Sequence, residues 1–258
     1  MTIVDTRRMI AAEILKIRRN RGVMAFALVL TSGVLILVFG WMAIQHASNP
    51  AANAPAGGLH GFRRAVLSLG VFFGMLSAIL VGAEAGTADS SSGVLRDLIV
   101  TGRSRLALFA VRWPAAAIVS LTLTAVAYAI SLVATFALAG GTPTPGVGLV
   151  LQGAGWIVLA NLVVTALAVG IGGLSGSRAV TLTAVIGWQV VLTNLVINVS
   201  SLGAARDALI TPALAQLIPV RYGGPSVPMS DTAAIIVLGG WLVLTQALGA
   251  WRTRTLDA

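Results

Sequence analysis

The chain has 258 residues, 57% of them hydrophobic and 10% charged, with a mean hydropathy of +0.94 and a formal net charge of +9. A soluble domain carries about 25% charged residues, so this composition excludes an ordinary water-covered surface and points to a polytopic membrane protein. The absence of cysteine excludes disulfides, zinc–thiolate centres and thiol nucleophiles.

The chain opens on "DTRRMIAAEILKIRRNRG". Met9, Ile10, Ile14 and Ile17 recur on one helical face, while Arg7, Arg8, Lys16, Arg18 and Arg19 mostly occupy the rest. The pattern predicts an amphipathic entry helix within residues 1–21, apolar side in lipid and arginines toward anionic headgroups.

Six apolar runs follow, each long enough for the roughly 20 residues that cross a hydrocarbon core, the third and fourth longer than needed and so expected to tilt, kink or protrude. They lie near Val23–Ile44, Ala65–Ala83, Trp113–Leu138, Val147–Leu174, Val180–Ile197 and Thr232–Ala250. The first exceeds the length of a signal-peptide core, about 7–15 residues, and is read as an uncleaved span. Pro114 suits the first turn of the third span, where its missing N–H costs little. The expected fold is therefore all-α: one transmembrane domain over residues 1–258.

Basic residues favour the cytoplasmic side. Of the 17 basic residues, only Arg63, Arg64, Arg206 and Arg221 fall on the side opposite the N-terminal tail. Both termini are thus expected in the cytoplasm. The net positive charge reads as membrane orientation, with no nucleic-acid partner expected. Trp41, Trp113 and Trp251 fall near span ends, as interfacial aromatics do, while Trp156, Trp188 and Trp241 lie deeper and are expected to pack.

Between the second and third spans lies "GAEAGTADSSSGVLRDLIVTGRSR", from Gly82 to Arg105. A cytoplasmic loop is expected over residues 84–105, with a break at "GTADSSSG" and a short helix capped by Asp89 or a neighbouring serine. Val94, Leu95, Leu98 and Ile99 give that helix an apolar face beside Arg96 and Asp97, and Gly102 ends it. A short amphipathic helix can lie on the bilayer or fill a groove in a partner. The acidic Asp97 gains nothing from an anionic surface, which favours a protein partner.

"VGIGGLSG", Val169–Gly176, places small residues at helix spacing and suits close helix packing. "SGSR", Ser175–Arg178, is a second short cytoplasmic turn, and residues 200–231 form the long external segment before the last span.

All acidic residues and both histidines are expected outside the spans. Proton- and ion-coupled carriers keep an ionisable group inside the membrane, so a coupled secondary transporter is disfavoured. With no carboxylate pair and no histidine in the spans, no intramembrane catalytic set can be assembled. The uncharged Asn161, Thr165, Gln189 and Asn194 fit either hydrogen bonding between helices or a substrate path. The only lysine, Lys16, lies in "ILKIRRN", so the chain has no Walker A motif and is not an ATPase by that route.

The entry helix with "AEILKIRRNRG", the six spans and "GVLRDLIVTGRSR" between spans two and three resemble the ABC-2 type permeases, membrane subunits of ATP-binding-cassette exporters. The resemblance covers essentially the whole chain and is sharpest from Gly93 to Arg105. It implies that the loop after span two is a coupling helix seated in a separate ATP-binding subunit. It also implies contacts to that subunit from Val94, Leu95, Arg96, Asp97, Leu98, Ile99, Arg103 and Arg105, with Glu13 and Lys16 of the entry helix nearby and Arg178 as a minor contact.

The resemblance further implies a second permease chain, identical or not, with the substrate path between first, second and fifth spans or along their lipid-facing edges. It implies short half-inserted helices within residues 200–231 and an acidic residue near the end of span two, which either Glu84 or Asp89 supplies. ATP and magnesium would be bound by the partner subunit and no cofactor by this chain. The expected location is a bacterial plasma membrane, and the expected cargo an amphipathic or lipid-like compound. A membrane anchor or sensor for a cytoplasmic ATPase is the competing expectation.

Overall fold

The computed structural model describes residues 3–91, 104–219, 227 and 229–255, and all its regular elements are helical. An entry helix α1 (Ile3–Arg19) precedes six helices long and apolar enough to cross a membrane. These are α2 (Arg21–Ser48), α3 (Gly58–Ala88, its helix running on to Ser91), α4 (Arg105–Ala137), α5 (Val147–Ser175), α6 (Arg178–Asn198) and α8 (Asp231–Thr255). Between α6 and α8 lie a 3-10 segment, Ser200–Ala208, and the short helix α7 (Ile210–Gln216). The chain is a multi-pass helical membrane protein.

Burial follows from sequence composition. α5 and α3 are the most buried spans and form the centre, whereas α2, α6 and α8 expose much of their apolar length. Leu37, Val133, Ile236 and Val243 point outward, as side chains bathed in lipid do. Close contact between α3 and α5 rests on missing side chains: a Cβ at Gly86 would stand 2.8 Å from the Val169 carbonyl oxygen and 3.0 Å from Gly172 Cα. The small-residue reading of Val169–Gly176 thus describes the packing of α5 against α3. Gly176, at φ 64°, then caps α5 and turns the chain into α6 within two residues, with Ser177 Oγ accepting from Val180 N–H.

The helices run past the apolar runs at both ends. His46 falls in the last turn of α2 and His60 in the first turn of α3, while Glu84 lies inside α3. The helix expected to break at Gly86–Gly93 continues to Ser91. Its buried Ala85 and Thr87 account for the extension, because that turn is packed rather than solvated.

α1 also differs from expectation. Met9 packs with Leu108 and Val111, and Ile17 with Val23, Leu80 and Val81. The apolar face therefore rests on the protein's own bundle, and among the described side chains of α1 Leu15 is the large apolar one left exposed. Where lipid and a greasy neighbouring helix compete for an apolar stripe, close packing adds dispersion contacts that fluid tails do not match.

The segment after α6 enters the bundle. Ile210, Ala213 and Leu214 of α7 join the main core. Two indoles hold this segment: Trp156 Nε1 donates to the Leu214 carbonyl at 2.9 Å and Trp241 Nε1 to the Ala208 carbonyl at 2.7 Å. Two of the three deep tryptophans expected to pack, Trp156 and Trp241, thus also tie backbone, whereas Trp188 Nε1 meets no partner among the described residues.

Candidate functional site

The described residues among those singled out in the sequence gather at two places. The first is the end of the bundle that holds the start of α2, the end of α3 and the α5–α6 turn. Asn20, between α1 and α2, has two partners. Its Oδ1 accepts from Val23 N–H at 3.3 Å, and its Nδ2 donates to Glu84 Oε1 at 2.8 Å. The other Glu84 oxygen, Oε2, meets Arg178 Nη1 at 3.1 Å. One carboxylate therefore joins the entry region, the second span and the fifth span. The sequence reading left Glu84 and Asp89 without a role and missed Asn20 altogether. An Asn directly before a helix start was the available signal, since it caps and remains free to reach sideways.

Glu13 and Lys16 pair with each other at 2.7 Å across one turn of α1, with Glu13 buried on the face that meets the bundle. Arg105 begins α4 just after Ser104, whose Oγ accepts from Ala107 N–H. Val94, Leu95, Arg96, Asp97, Leu98, Ile99 and Arg103 lie outside the described residues. The chain nevertheless leaves α3 at Ser91 and re-enters at Arg105 on this same end.

Arg112 departs from the sequence reading, which counted it among the cytoplasmic arginines outside the spans, whereas it lies within α4. It is 2% exposed, and its Nη1 donates to the Gly86 carbonyl at 3.1 Å. Two turns into the third span, its side chain points across to α3, and glycine at the receiving position leaves the carbonyl open.

The second place is the bundle interior. Asn161 Nδ2 donates to Ser120 Oγ at 2.9 Å and to Thr124 Oγ1 at 3.1 Å, while Thr165 Oγ1 reaches Asn161 Oδ1 at 3.4 Å. These groups pair with one another between α4 and α5, the arrangement that the hydrogen-bonding alternative for Asn161 and Thr165 describes. Gln246 similarly donates to the Ala166 carbonyl at 2.6 Å, tying α8 to α5.

Gln189 and Asn194 behave differently. Both line a cavity of about 220 Å³ between α3, α6 and α7. Asn194 Nδ2 donates to the Val190 carbonyl of its own helix at 2.7 Å. Gln189 is 2% exposed, and neither atom of its amide meets a hydrogen-bond partner among the described residues.

Gln189 sits in a π-helical turn, Gly187–Leu192. The Thr193 N–H and hydroxyl both go to the Trp188 carbonyl, which secures the widened turn. Similar turns occur at Val29–Gly33 in α2 and Ser68–Phe72 in α3. Such turns are rare and concentrate at functional sites. Here they fall in the first, second and fifth spans.

Among the described residues no group of three or more His, Cys, Asp or Glu is placed to hold a metal ion. No protein-family model matches the chain, and no curated protein matches it in sequence.

Proposed function

We propose that the chain is the permease subunit of an ATP-binding-cassette exporter of the ABC-2 type. In this reading it sits in a bacterial plasma membrane with both termini in the cytoplasm. It pairs with a second permease chain, and a separate subunit binds and hydrolyses ATP. Support comes from the likeness of Gly93–Arg105 to a coupling helix and from one structural observation. The Asn20–Glu84–Arg178 cluster links the three segments that would face the ATP-binding subunit: the entry region, the end of α3 that leads into residues 92–103, and the α5–α6 turn.

The linkage supplies a mechanical route. Closure of two ATP-binding subunits displaces the gripped segment after Ser91. α3 moves with it, and Glu84 carries Arg178 of α6 and Asn20 at the head of α2. ATP shifts the inward–outward equilibrium only by its unequal affinity for the two states, and in this reading the polar cluster transmits that bias from the ATP-binding subunit to the spans. Direction toward export rests on the resemblance.

The test is co-purification of the tagged chain from its native membrane, comparing wild type with the Leu95→Asp/Leu98→Asp variant. Wild type is expected to bring down an ATPase bearing a Walker A motif. The variant, inserted and folded, is expected to lose it. Equal capture by both, or no ATPase with either, overturns the reading and favours an anchoring role.

A further inference from the structure

The cavity beside Gln189 holds the least satisfied group in the described interior. An amide offers two donors and an acceptor oxygen, and leaving them dry costs more than a typical hydrogen bond returns. Structural amides in this bundle are paired, as Asn161 and Gln246 show. Gln189 alone combines near-complete burial with an unpartnered amide at a cavity wall.

The walls state what fits. Val71, Phe72 and Met75 of α3 and Leu214 of α7 make most of the surface apolar, with Gln189, Asn194 and Thr211 as the polar points. Among the described residues no ionisable side chain lines it, so a charged head group would enter without a counter-charge from them, at a large desolvation cost. About 220 Å³ also falls below the roughly 300–1,000 Å³ that enclose a whole drug-sized ligand. The space therefore suits one polar end of a longer molecule. At the rim, Phe72 and Val190 are exposed along the apolar outer surface, where a chain can lie in lipid.

From this we infer that the Gln189 cavity is a binding site for the uncharged, hydroxyl- or amide-bearing head of an amphipathic molecule, formed within a single chain. Gln189 both donates to and accepts from the head, with Thr211 and Asn194 at its flank. The π-helical turn in α6 is what aims the amide into the cavity while Trp188 faces the opposite crevice beside Trp241. The inference deepens the transport reading by naming a cargo class, yet it rests on the fold alone.

The experiment uses the purified full chain in phosphatidylcholine nanodiscs, with no ATPase and no nucleotide, so that its failure is separable from failure of the transporter reading. The probe is a monoacylglycerol with a diazirine in its acyl chain. Labelling is expected on peptides spanning residues 70–76 and 187–195. Monoolein should compete; oleate, oleylamine and added anionic phospholipid should not, which separates an uncharged amphipath from a bilayer lipid.

Gln189→Leu should lower labelling at least tenfold and raise the melting temperature of the ligand-free chain, because it removes an orphaned amide. Ala215→Leu, which fills the cavity from the α7 side and leaves the amide in place, should also abolish labelling. Unchanged labelling in Gln189→Leu, equal competition by oleate, or a Gln189→Leu chain that is less stable or loses self-association would overturn the inference. The amide would then serve packing or a contact between chains.

Discussion

Arg178 Nη1 stands 3.1 Å from Glu84 Oε2, bridging the start of the fifth span and the last turns of the second. The Glu84 side chain is 15% exposed and that of Arg178 39%, so the two ends of the pair feel different amounts of water. Solvent screening at the arginine limits the coupling to about 1 kcal/mol. Glu84→Ala should nevertheless cost more than Arg178→Ala, because it also strands Asn20 Nδ2. A double-mutant cycle on thermal unfolding in detergent measures this. Additive effects of the two substitutions would remove the link on which the proposed mechanical route depends.

The Gly86 position makes a sharper prediction. Its missing Cβ is replaced by α5 backbone, and backbone cannot rotate aside. Gly86→Leu should separate α3 from α5 and cost at least the 1–3 kcal/mol typical of overpacking. Gly155, with nothing within 4 Å of its ideal Cβ, should accept leucine with little change. Fluorescence-detected size exclusion after a heat step distinguishes them: Gly86→Leu is expected to be lost from the monodisperse peak and Gly155→Leu retained.

The spans themselves were legible because lipid imposes one requirement, apolar length, which reads directly off the sequence. Their ends were not. Glu84 and His46 look like loop residues by polarity, yet both sit on helices that continue for reasons of packing and hydrogen bonding. The entry helix shows the same limit: Met9 and Ile17 announce an amphipathic face, but not whether lipid or Leu108 covers it. Likewise Asn161 and Gln189 are both amides in apolar runs. Only the positions of Ser120 and Thr124, 41 and 37 residues away along the chain, make one a packing residue and leave the other open.

Arg112 is where charge counting gave the wrong environment, and its burial carries a prediction. A guanidinium reaching the Gly86 carbonyl across the α3–α4 contact uses a planar, weakly hydrated head that an ammonium does not reproduce. Arg112→Lys keeps the charge but should destabilise by about 1–3 kcal/mol, the range for leaving buried polar groups poorly partnered. Thermal unfolding of the purified chain checks it. A lysine variant as stable as wild type would mean that charge alone suffices at this position.

The two interior amides should respond with opposite signs to the same substitution. Asn161→Leu removes two donated bonds, and interhelical hydrogen bonds in membranes contribute about 0.6 kcal/mol on average, reaching about 1.7. The full sum is not expected, because the Ser120 and Thr124 hydroxyls can turn back to carbonyls of their own helix, as Thr124 already does toward Ser120 at 2.9 Å. A loss of about 1 kcal/mol should follow, with monoacylglycerol labelling near Gln189 unchanged. Gln189→Leu, by contrast, should gain stability and lose labelling. Melting curves and labelling measured on both variants in the same nanodiscs test the assignment. If both amides stabilise the ligand-free chain, the distinction drawn from their hydrogen bonds fails.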